Sequence, residues 1–68
     1  MTLKEAREAA INRLPILCDG CRYERIGLVG MKYSERNDEE TPSILLIDKF
    51  GREVWALPGR CEVANDET

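Results

Sequence analysis

The chain has 68 residues, which allows one small domain with a thin hydrophobic core. Apolar residues make up 43% of it and charged residues 34%, a mixture typical of a globular rather than a disordered protein. Ten Lys and Arg residues against thirteen Asp and Glu residues give a net charge of -3, which argues against a dedicated DNA or RNA binder because such proteins carry a positive excess.

An amphipathic helix is predicted over residues 2–14. Thr2 and Glu5 have the spacing of a capping box, in which each side chain bonds the backbone amide of the other residue. One apolar stripe at helical spacing consists of Leu3, Ala6, Ala10, Ile11 and Leu14. Pro15 is expected to end the helix, because a proline disfavours the helical conformation of the residue before it. A helix this short is marginal in isolation, so its stripe must pack on the rest of the chain.

After the predicted helix, the residue pattern favours β-strands. A short strand precedes Asp19-Gly20, a dipeptide typical of a two-residue turn. Residues 21–33 predict one long strand whose apolar residues switch from one face to the other, so this strand must bend. Gly27 and Gly30 are placed to allow a bulge at such a bend.

The second half of the chain predicts a further hairpin. Residues 34–42 are polar and acidic and are expected to form a mobile loop. Strands at residues 43–47 and 52–57 are then joined by a turn with Gly51 at its left-handed position.

The register of this hairpin places apolar side chains on both of its faces. Asp48 is expected to lie opposite Arg52, as in a three-residue loop followed by a glycine bulge. Leu45 and Trp55 then share one face. The other face carries Ile44, Leu46, Val54 and Ala56. One face should line the interior, and the other must be covered either by the N-terminal helix or by another molecule.

These elements predict a single α+β domain over residues 1–68. Its N-terminal helix packs on a small five-stranded, strongly bent antiparallel sheet or barrel over residues 16–63. Residues 58–63 supply a short turn and the final strand, and residues 64–68 form a disordered acidic tail.

Two stretches carry a resemblance to known proteins. Residues 55–63 consist of a strand ending in Leu57-Pro58, a short turn and then a final strand, and they resemble the last two strands and intervening single turn of SH3-like barrels. Residues 23–33, followed by residues 45–52, are similar to small bacterial proteins of phage and other mobile elements. The resemblance implies a small SH3-like barrel and no particular activity. It does not imply proline-rich ligands, because the aromatic groove of signalling SH3 domains is not reproduced.

The three cysteines are expected to be free thiols. Cys18 and Cys21 have C-x-x-C spacing, but zinc takes four ligands, and with Cys61 as the one further thiol and no histidine, a carboxylate such as Asp19 or Asp48 would have to complete the site. We therefore expect the first two to flank a turn as small apolar residues, and we predict neither a metal site nor a cofactor. An odd cysteine count without a secretory signal favours a reducing cytoplasm. The longest aliphatic run, residues 44–47, is too short to span a membrane.

No enzymatic activity is predicted. Because the chain has no histidine, none of its hydroxyl groups has an obvious activating base. Paired carboxylates occur at residues 38–40 and 66–67, in polar segments that cannot hold a working geometry.

Two binding hypotheses involve nucleic acid. Tyr23 and Tyr33 are flanked by cations, and aromatic stacking combined with positive charge suits single strands. The cations of this single-stranded nucleic-acid site would be Arg22, Arg25, Lys32 and Arg36. Alternatively, the acidic segments at residues 38–40 and in the tail would make the chain an inhibitor of a basic, nucleic-acid-binding protein.

The function that the sequence favours is a non-enzymatic protein-interaction module, of the kind an accessory protein of a phage or mobile element would be. Leu45 and Trp55 form its predicted partner-binding patch, with Phe50 at the turn, because exposed aromatic residues are typical anchors of interfaces. The alternative is that the stripe of the helix covers Trp55. The chain is expected to be a monomer or a weak homodimer.

Overall fold

The computed structural model describes residues 1–64. Within that range it has one α-helix, α1 (Leu3–Ile11), and six strands, which are β1 (Ile16–Cys18), β2 (Cys21–Tyr23), β3 (Arg25–Ser34), β4 (Glu39–Ile47), β5 (Glu53–Ala56) and β6 (Cys61–Val63). A 3-10 helix at Pro58–Arg60 separates β5 from β6. The predicted α+β class is confirmed. Six strands replace the expected five, because the long strand predicted over residues 21–33 is divided in two.

The predicted capping box begins the helix. The Thr2 amide donates to Glu5 Oε1 at 2.8 Å, and the Glu5 amide donates to the Thr2 hydroxyl at 3.2 Å. The hydrogen bonds from the backbone and side chain of Thr2 hold the pKa of the Glu5 carboxyl below its ordinary value.

The helix ends at Ile11, earlier than predicted and before the proline that was expected to stop it. Arg13 adopts a left-handed conformation with a φ of 53°. Its amide donates to the Ala10 carbonyl at 3.2 Å, and the amide of Leu14 donates to the Ala9 carbonyl at 2.9 Å. This pair of bonds is a Schellman motif, which terminates the helix by itself.

The buried face of α1 is formed by alanines. Ala6 and Ala9 are fully buried, and α1 packs mainly against β3. The prediction that Ile11 and Leu14 belong to the buried stripe is wrong, since Ile11 is 72% exposed and Leu14 is also on the surface. Small side chains let the helix backbone approach the sheet closely, and this leaves the larger residues at the end of the helix outside the contact.

The strands form two three-stranded antiparallel sheets, with orders β2-β1-β6 and β3-β4-β5. The two-residue turn expected at Asp19-Gly20 joins β1 to β2, and φ is 49° and 83° at its two residues. Positive φ at both positions defines the turn type that matches the right-handed twist of a hairpin.

The long predicted strand divides at Glu24, so that β2 belongs to one sheet and β3 to the other. The expected bulge lies at Gly27, where the register of β3 against β4 shifts. A Cβ atom at this position would lie 2.7 Å from Ile47 Cδ1, so any larger residue would displace the end of the Ile47 side chain. Gly30 is not a bulge, because it pairs with Ser43 in regular register.

The loop predicted over residues 34–42 is shorter than expected. Only residues 35–38 form the turn, and residues 39–42 belong to β4. Pro42 lies opposite Met31. The backbone nitrogen of Pro42, which carries no hydrogen, points away from β3, toward the side of β4 on which β5 lies. Because β5 ends before the level of Pro42, no ladder hydrogen bond is lost there. The Tyr33 hydroxyl closes the turn by donating to Asp38 Oδ1 at 2.8 Å.

The hairpin of β4 and β5 has the predicted register. The Asp48 amide donates to the Arg52 carbonyl at 3.0 Å, and Leu45 lies opposite Trp55. Gly51 has a φ of 81°, as expected for the left-handed position of the turn. The inner face of the hairpin contributes Ile44 and Leu46, which are fully buried and belong to one core cluster with Ile16, Cys18 and Cys61 of the other sheet and the alanines of α1.

Beyond the hairpin, the predicted acidic tail is only partly described. Ala64 is buried, and its amide donates to the Pro15 carbonyl at 2.9 Å, which extends the pairing of β6 with β1. The remaining tail residues, 65–68, lie outside the described residues.

Candidate interaction site along strand β5

Trp55 is the exposed residue of the predicted partner-binding patch. Its side chain is 46% exposed, because α1 packs mainly against β3 and does not cover it. Leu45 lies opposite it on the same face but is only 7% exposed, so it adds little accessible surface to the patch. The structure thus places these two residues together, as the register predicted.

Lys32 interacts with Trp55 in a way the sequence analysis did not anticipate. Its Nζ atom lies 4.2 Å from the centroid of the indole ring, within the range of a cation-π contact. Lys32 reaches the ring from β3, across the intervening strand β4. The contact therefore fixes one side of the indole while leaving the rest of the ring accessible.

Phe50 is separate from this pair. It is 71% exposed at the tip of the turn, with the cationic groups of Lys49 and Arg52 at 5.1 and 5.2 Å from its ring centroid. It lines a depression together with Arg22 and Asp48, which borders the one lined by Trp55 at Cys21 and Tyr23. Phe50 and Trp55 therefore line neighbouring depressions and not the same one.

A groove of about 510 Å³ lies beside Trp55. One wall is residues 54–57, in and just beyond β5, and the other is the tip of the β1–β2 hairpin with Asp19 and Cys21. Arg60 and Asp19 approach to 3.8 Å across the groove. Both side chains are largely exposed, so this ion pair contributes little to stability.

The outer edge of β5 faces this groove. β5 is the last strand of its sheet, and within residues 1–64 no strand pairs with its other side. In an antiparallel ladder, the backbone N–H and C=O groups of successive residues alternate between bonding the neighbouring strand and pointing away from it. Because the Asp48 amide bonds the Arg52 carbonyl, this alternation directs the backbone groups of Glu53 and Trp55 away from β4.

The turn that leads into β5 is held by the Asp48 carboxylate. Asp48 Oδ1 accepts from the amides of Phe50 at 2.8 Å and Arg52 at 2.9 Å, and Oδ2 accepts from the Arg52 guanidinium at 2.8 Å. Burial raises the pKa of the Asp48 carboxyl, but these hydrogen bonds outweigh it, so the pKa lies below its ordinary value.

The cations of the nucleic-acid hypothesis are dispersed over the molecule. Arg22 lies 3.8 Å from the Glu24 carboxylate, and Lys32 is over the indole. Arg25 begins β3, and Arg36 lies beyond its other end, so a ten-residue strand of roughly 33 Å separates them. The four side chains therefore do not converge on one strip of surface.

Tyr33, one of the two aromatic residues in that hypothesis, is hydrogen-bonded to the turn between β3 and β4. Its hydroxyl donates to the Asp38 carboxylate, and this bond raises the pKa of Tyr33. The other aromatic residue, Tyr23, is partly buried beside the core.

Cys18 and Cys61 are buried and Cys21 is exposed, and all three are free thiols. Among residues 1–64, no three Cys, Asp or Glu side chains are grouped closely enough to hold a metal ion. In the same part of the chain, no helix has the length and apolar character needed to cross a bilayer. Comparisons of the chain with protein-family models, with curated proteins and with solved structures found no match.

Sequence reasoning missed the hairpin tip and Lys32 as parts of the site. The Asp-Gly signal located the tip, and the register of β3 against β4 could have placed Lys32 on the same face as Trp55. The sequence offers no local signal that brings the tip against β5, because the two belong to different sheets.

Proposed function

We propose that this protein is a non-enzymatic protein-interaction module that binds an extended segment of a partner protein along the outer edge of β5. The observation that carries the proposal is the unpaired edge of β5, which lies beside a half-exposed tryptophan and a groove. An extended peptide can add a strand to such an edge, with backbone hydrogen bonds giving affinity and side-chain pockets giving specificity.

Trp55 supports this proposal as an anchor. Large aromatic residues dominate the binding energy of protein interfaces, and Trp is enriched among them. Its rotation is restricted by Lys32 on one side and by Leu45 beneath it, so little side-chain freedom remains to be lost on binding.

We further propose that the two sheets are the halves of an SH3-like barrel. The strand order supports this, because β1 lies between β2 and β6 in the first sheet, and β3, β4 and β5 make up the second. The chain passes between the sheets at the Glu24 bend and again at the single 3-10 turn before β6. The five strands expected from the sequence correspond to these six if β2 and β3 are counted as one bent strand.

The proposal is tested by selecting random linear peptides on the immobilised protein and measuring their affinity by tryptophan fluorescence. The chain has one Trp, so the signal reports from the groove itself. The informative variant is Glu53→Pro, which removes an amide that points away from β4 and leaves the β4–β5 ladder intact. The matched control is Glu53→Thr, which removes the same carboxylate and keeps the amide.

We expect Glu53→Pro to weaken binding about tenfold, because the loss of one edge hydrogen bond of about 1.4 kcal/mol changes the affinity by that factor. We expect Glu53→Thr to leave the affinity within about twofold of the wild type. Equal affinity of the two variants would rule out pairing at the edge. If no peptide is enriched, while single-stranded oligonucleotides quench the fluorescence at low salt, the nucleic-acid hypothesis replaces this one.

A further inference from the structure

The three cysteines lie in one row across the first sheet. Cys18 of β1 pairs with Cys21 of β2 on one side and with Cys61 of β6 on the other. Directly paired residues of antiparallel strands project from the same face of a sheet. Cys21, Cys18 and Cys61, in this order across the sheet, form a thiol row.

The two pairs in the thiol row differ in geometry. Cys18 and Cys21 flank a two-residue turn, so they form a hydrogen-bonded pair, and the backbone groups of Cys18 point toward β2. Cys18 and Cys61 are therefore a non-hydrogen-bonded pair. The hydrogen bond from the Ala64 amide to the Pro15 carbonyl supports this assignment. Hydrogen-bonded and non-hydrogen-bonded pairs alternate along a ladder, and the pair of Pro15 and Ala64 lies an odd number of positions from the pair of Cys18 and Cys61.

The non-hydrogen-bonded pair has the better geometry for a disulfide. In such pairs the Cα atoms lie about 4.5 Å apart and the side chains are closer than in hydrogen-bonded pairs. A disulfide holds its two Cβ atoms about 3.5–4.5 Å apart, so the closer side chains of a non-hydrogen-bonded pair suit the bond better. Cys18 and Cys61 thus lie directly opposite each other in the type of pair that suits a disulfide.

The members of the thiol row differ in access to solvent. Cys21 is exposed, whereas Cys18 and Cys61 are buried in the core. The Cys61 thiol donates to the Leu57 carbonyl at 3.4 Å. Burial, together with the neighbouring Cys18, raises the pKa of Cys61 to about 12, so this thiol does not react first with a dissolved oxidant.

We infer that the thiol row is a thiol–disulfide relay, in which Cys21 receives oxidation from a low-molecular-weight disulfide and passes it through Cys18 to a buried Cys18–Cys61 disulfide. The relay rests on the register and the exposure of the three cysteines and does not depend on the function proposed for β5.

The relay balances with oxidised glutathione as the oxidant. The Cys21 thiolate attacks one glutathione sulfur and releases the first glutathione thiolate. Cys18 then attacks the Cys21 sulfur and releases the second, which leaves a Cys18–Cys21 disulfide. Cys61 attacks Cys18, and Cys21 departs as a thiolate that takes up the proton lost by Cys61. The net reaction oxidises two protein thiols and reduces one glutathione disulfide to two thiols.

The last disulfide is the one expected to persist. A thiol with a high pKa is a poor leaving group, so exchange that expels Cys61 is slow. The Cys18–Cys61 bond also encloses a much longer loop than the Cys18–Cys21 bond and constrains the unfolded chain more. Oxidation therefore ties β6 to β1 and stabilises the fold.

The relay is tested by incubating the whole protein with oxidised glutathione, quenching with acid and alkylating the remaining thiols for mass spectrometry. Cleavage before Asp19 separates Cys18 from Cys21, so the linked fragments identify the bond. We expect Cys18 linked to Cys61, Cys21 alkylated, and a higher midpoint of thermal unfolding than for the reduced protein.

Cys21→Ser tests the entry step without altering a buried residue. We expect it to slow formation of the Cys18–Cys61 bond by at least about tenfold, since both remaining thiols are buried. Cys61→Ala should stop the relay at the Cys18–Cys21 bond. A wild-type end product with glutathione retained on Cys21, or with Cys18 linked to Cys21, overturns the relay, as does an unchanged rate in Cys21→Ser.

Discussion

Among residues 1–64, three residues other than glycine adopt left-handed backbone conformations, namely Arg13, Asp19 and Asp38, with φ between 49° and 53°. Asp tolerates this region because its short side chain can bond the local backbone. Arg13 has no such compensation, and it occupies the position of the Schellman motif where glycine is usual. The helix end is therefore a place where the native residue is not the most stable one.

Replacement of Arg13 by Gly is expected to raise the free energy of unfolding by about 1 kcal/mol, because the steric penalty of a left-handed side chain is removed. Urea denaturation followed by circular dichroism measures the change. Arg36→Gly is the control, since Arg36 is an exposed turn residue without a positive φ and gains nothing. A loss of stability in Arg13→Gly would contradict the assigned conformation.

Gly27 is constrained by a neighbour rather than by its own backbone. We expect Gly27→Ala to lower the free energy of unfolding by about 1 kcal/mol, because its Cβ would meet Ile47 Cδ1 at 2.7 Å and the end of that side chain would have to move. Ile47→Val removes that atom, so the double variant should recover part of the loss in a double-mutant cycle. Gly59→Ala, with no atom within 4 Å of its Cβ, should be close to neutral. Additive effects of the two substitutions would refute the contact.

At the scale of elements, the predicted turns are the parts that the structure confirms most closely. Asp19-Gly20 and Gly51 specify their hairpins because each needs a backbone conformation that few residues adopt. Segments without such a signal were predicted less well. Residues 39–42 are polar enough to resemble a loop, but pairing with β3 extends β4 through them. In α1, the close approach of the helix to the sheet buries the alanines and leaves Ile11 exposed.

The turn between β4 and β5 should make stability depend on pH. The pKa of Asp48 is lowered in the folded state, so its stabilising effect is present at neutral pH and is lost as the pH falls from about 5 through the folded-state pKa. Asp48→Asn should be less stable at pH 7 and should lose less stability on acidification than the wild type. Thermal unfolding midpoints between pH 7 and pH 3 measure this difference.

The matched control for this measurement is Glu62→Gln, which also removes one negative charge from an exposed position on β6. Its profile should follow that of the wild type, including the dependence contributed by Glu5. If Asp48→Asn and Glu62→Gln change the profile equally, the effect is one of net charge and the hydrogen bonds of the turn are not responsible.

For the whole molecule, the sequence predicted the helix, the strands and the facing of Leu45 and Trp55, since these follow from local periodicity and turn type. The groove could not be predicted in this way. Its walls are β5 and the β1–β2 tip, which belong to different sheets and are more than thirty residues apart in the chain. Their meeting depends on how the sheets pack, which is a property of the assembled core. The division of the predicted long strand at Glu24 likewise depends on how the two sheets pack.

The hairpin of β3 and β4 continues beyond the end of β5, so that residues 30–34 and 39–43 pair with each other and with no third strand among residues 1–64. An isolated two-stranded ribbon is only marginally stable in water. We expect its backbone amides to exchange hydrogen with solvent through local separation of the two strands, and faster than the amides of Ile44 and Leu46, which lie in the buried part of β4. On that expectation, the outer ribbon opens and recloses many times within the lifetime of a single folded molecule.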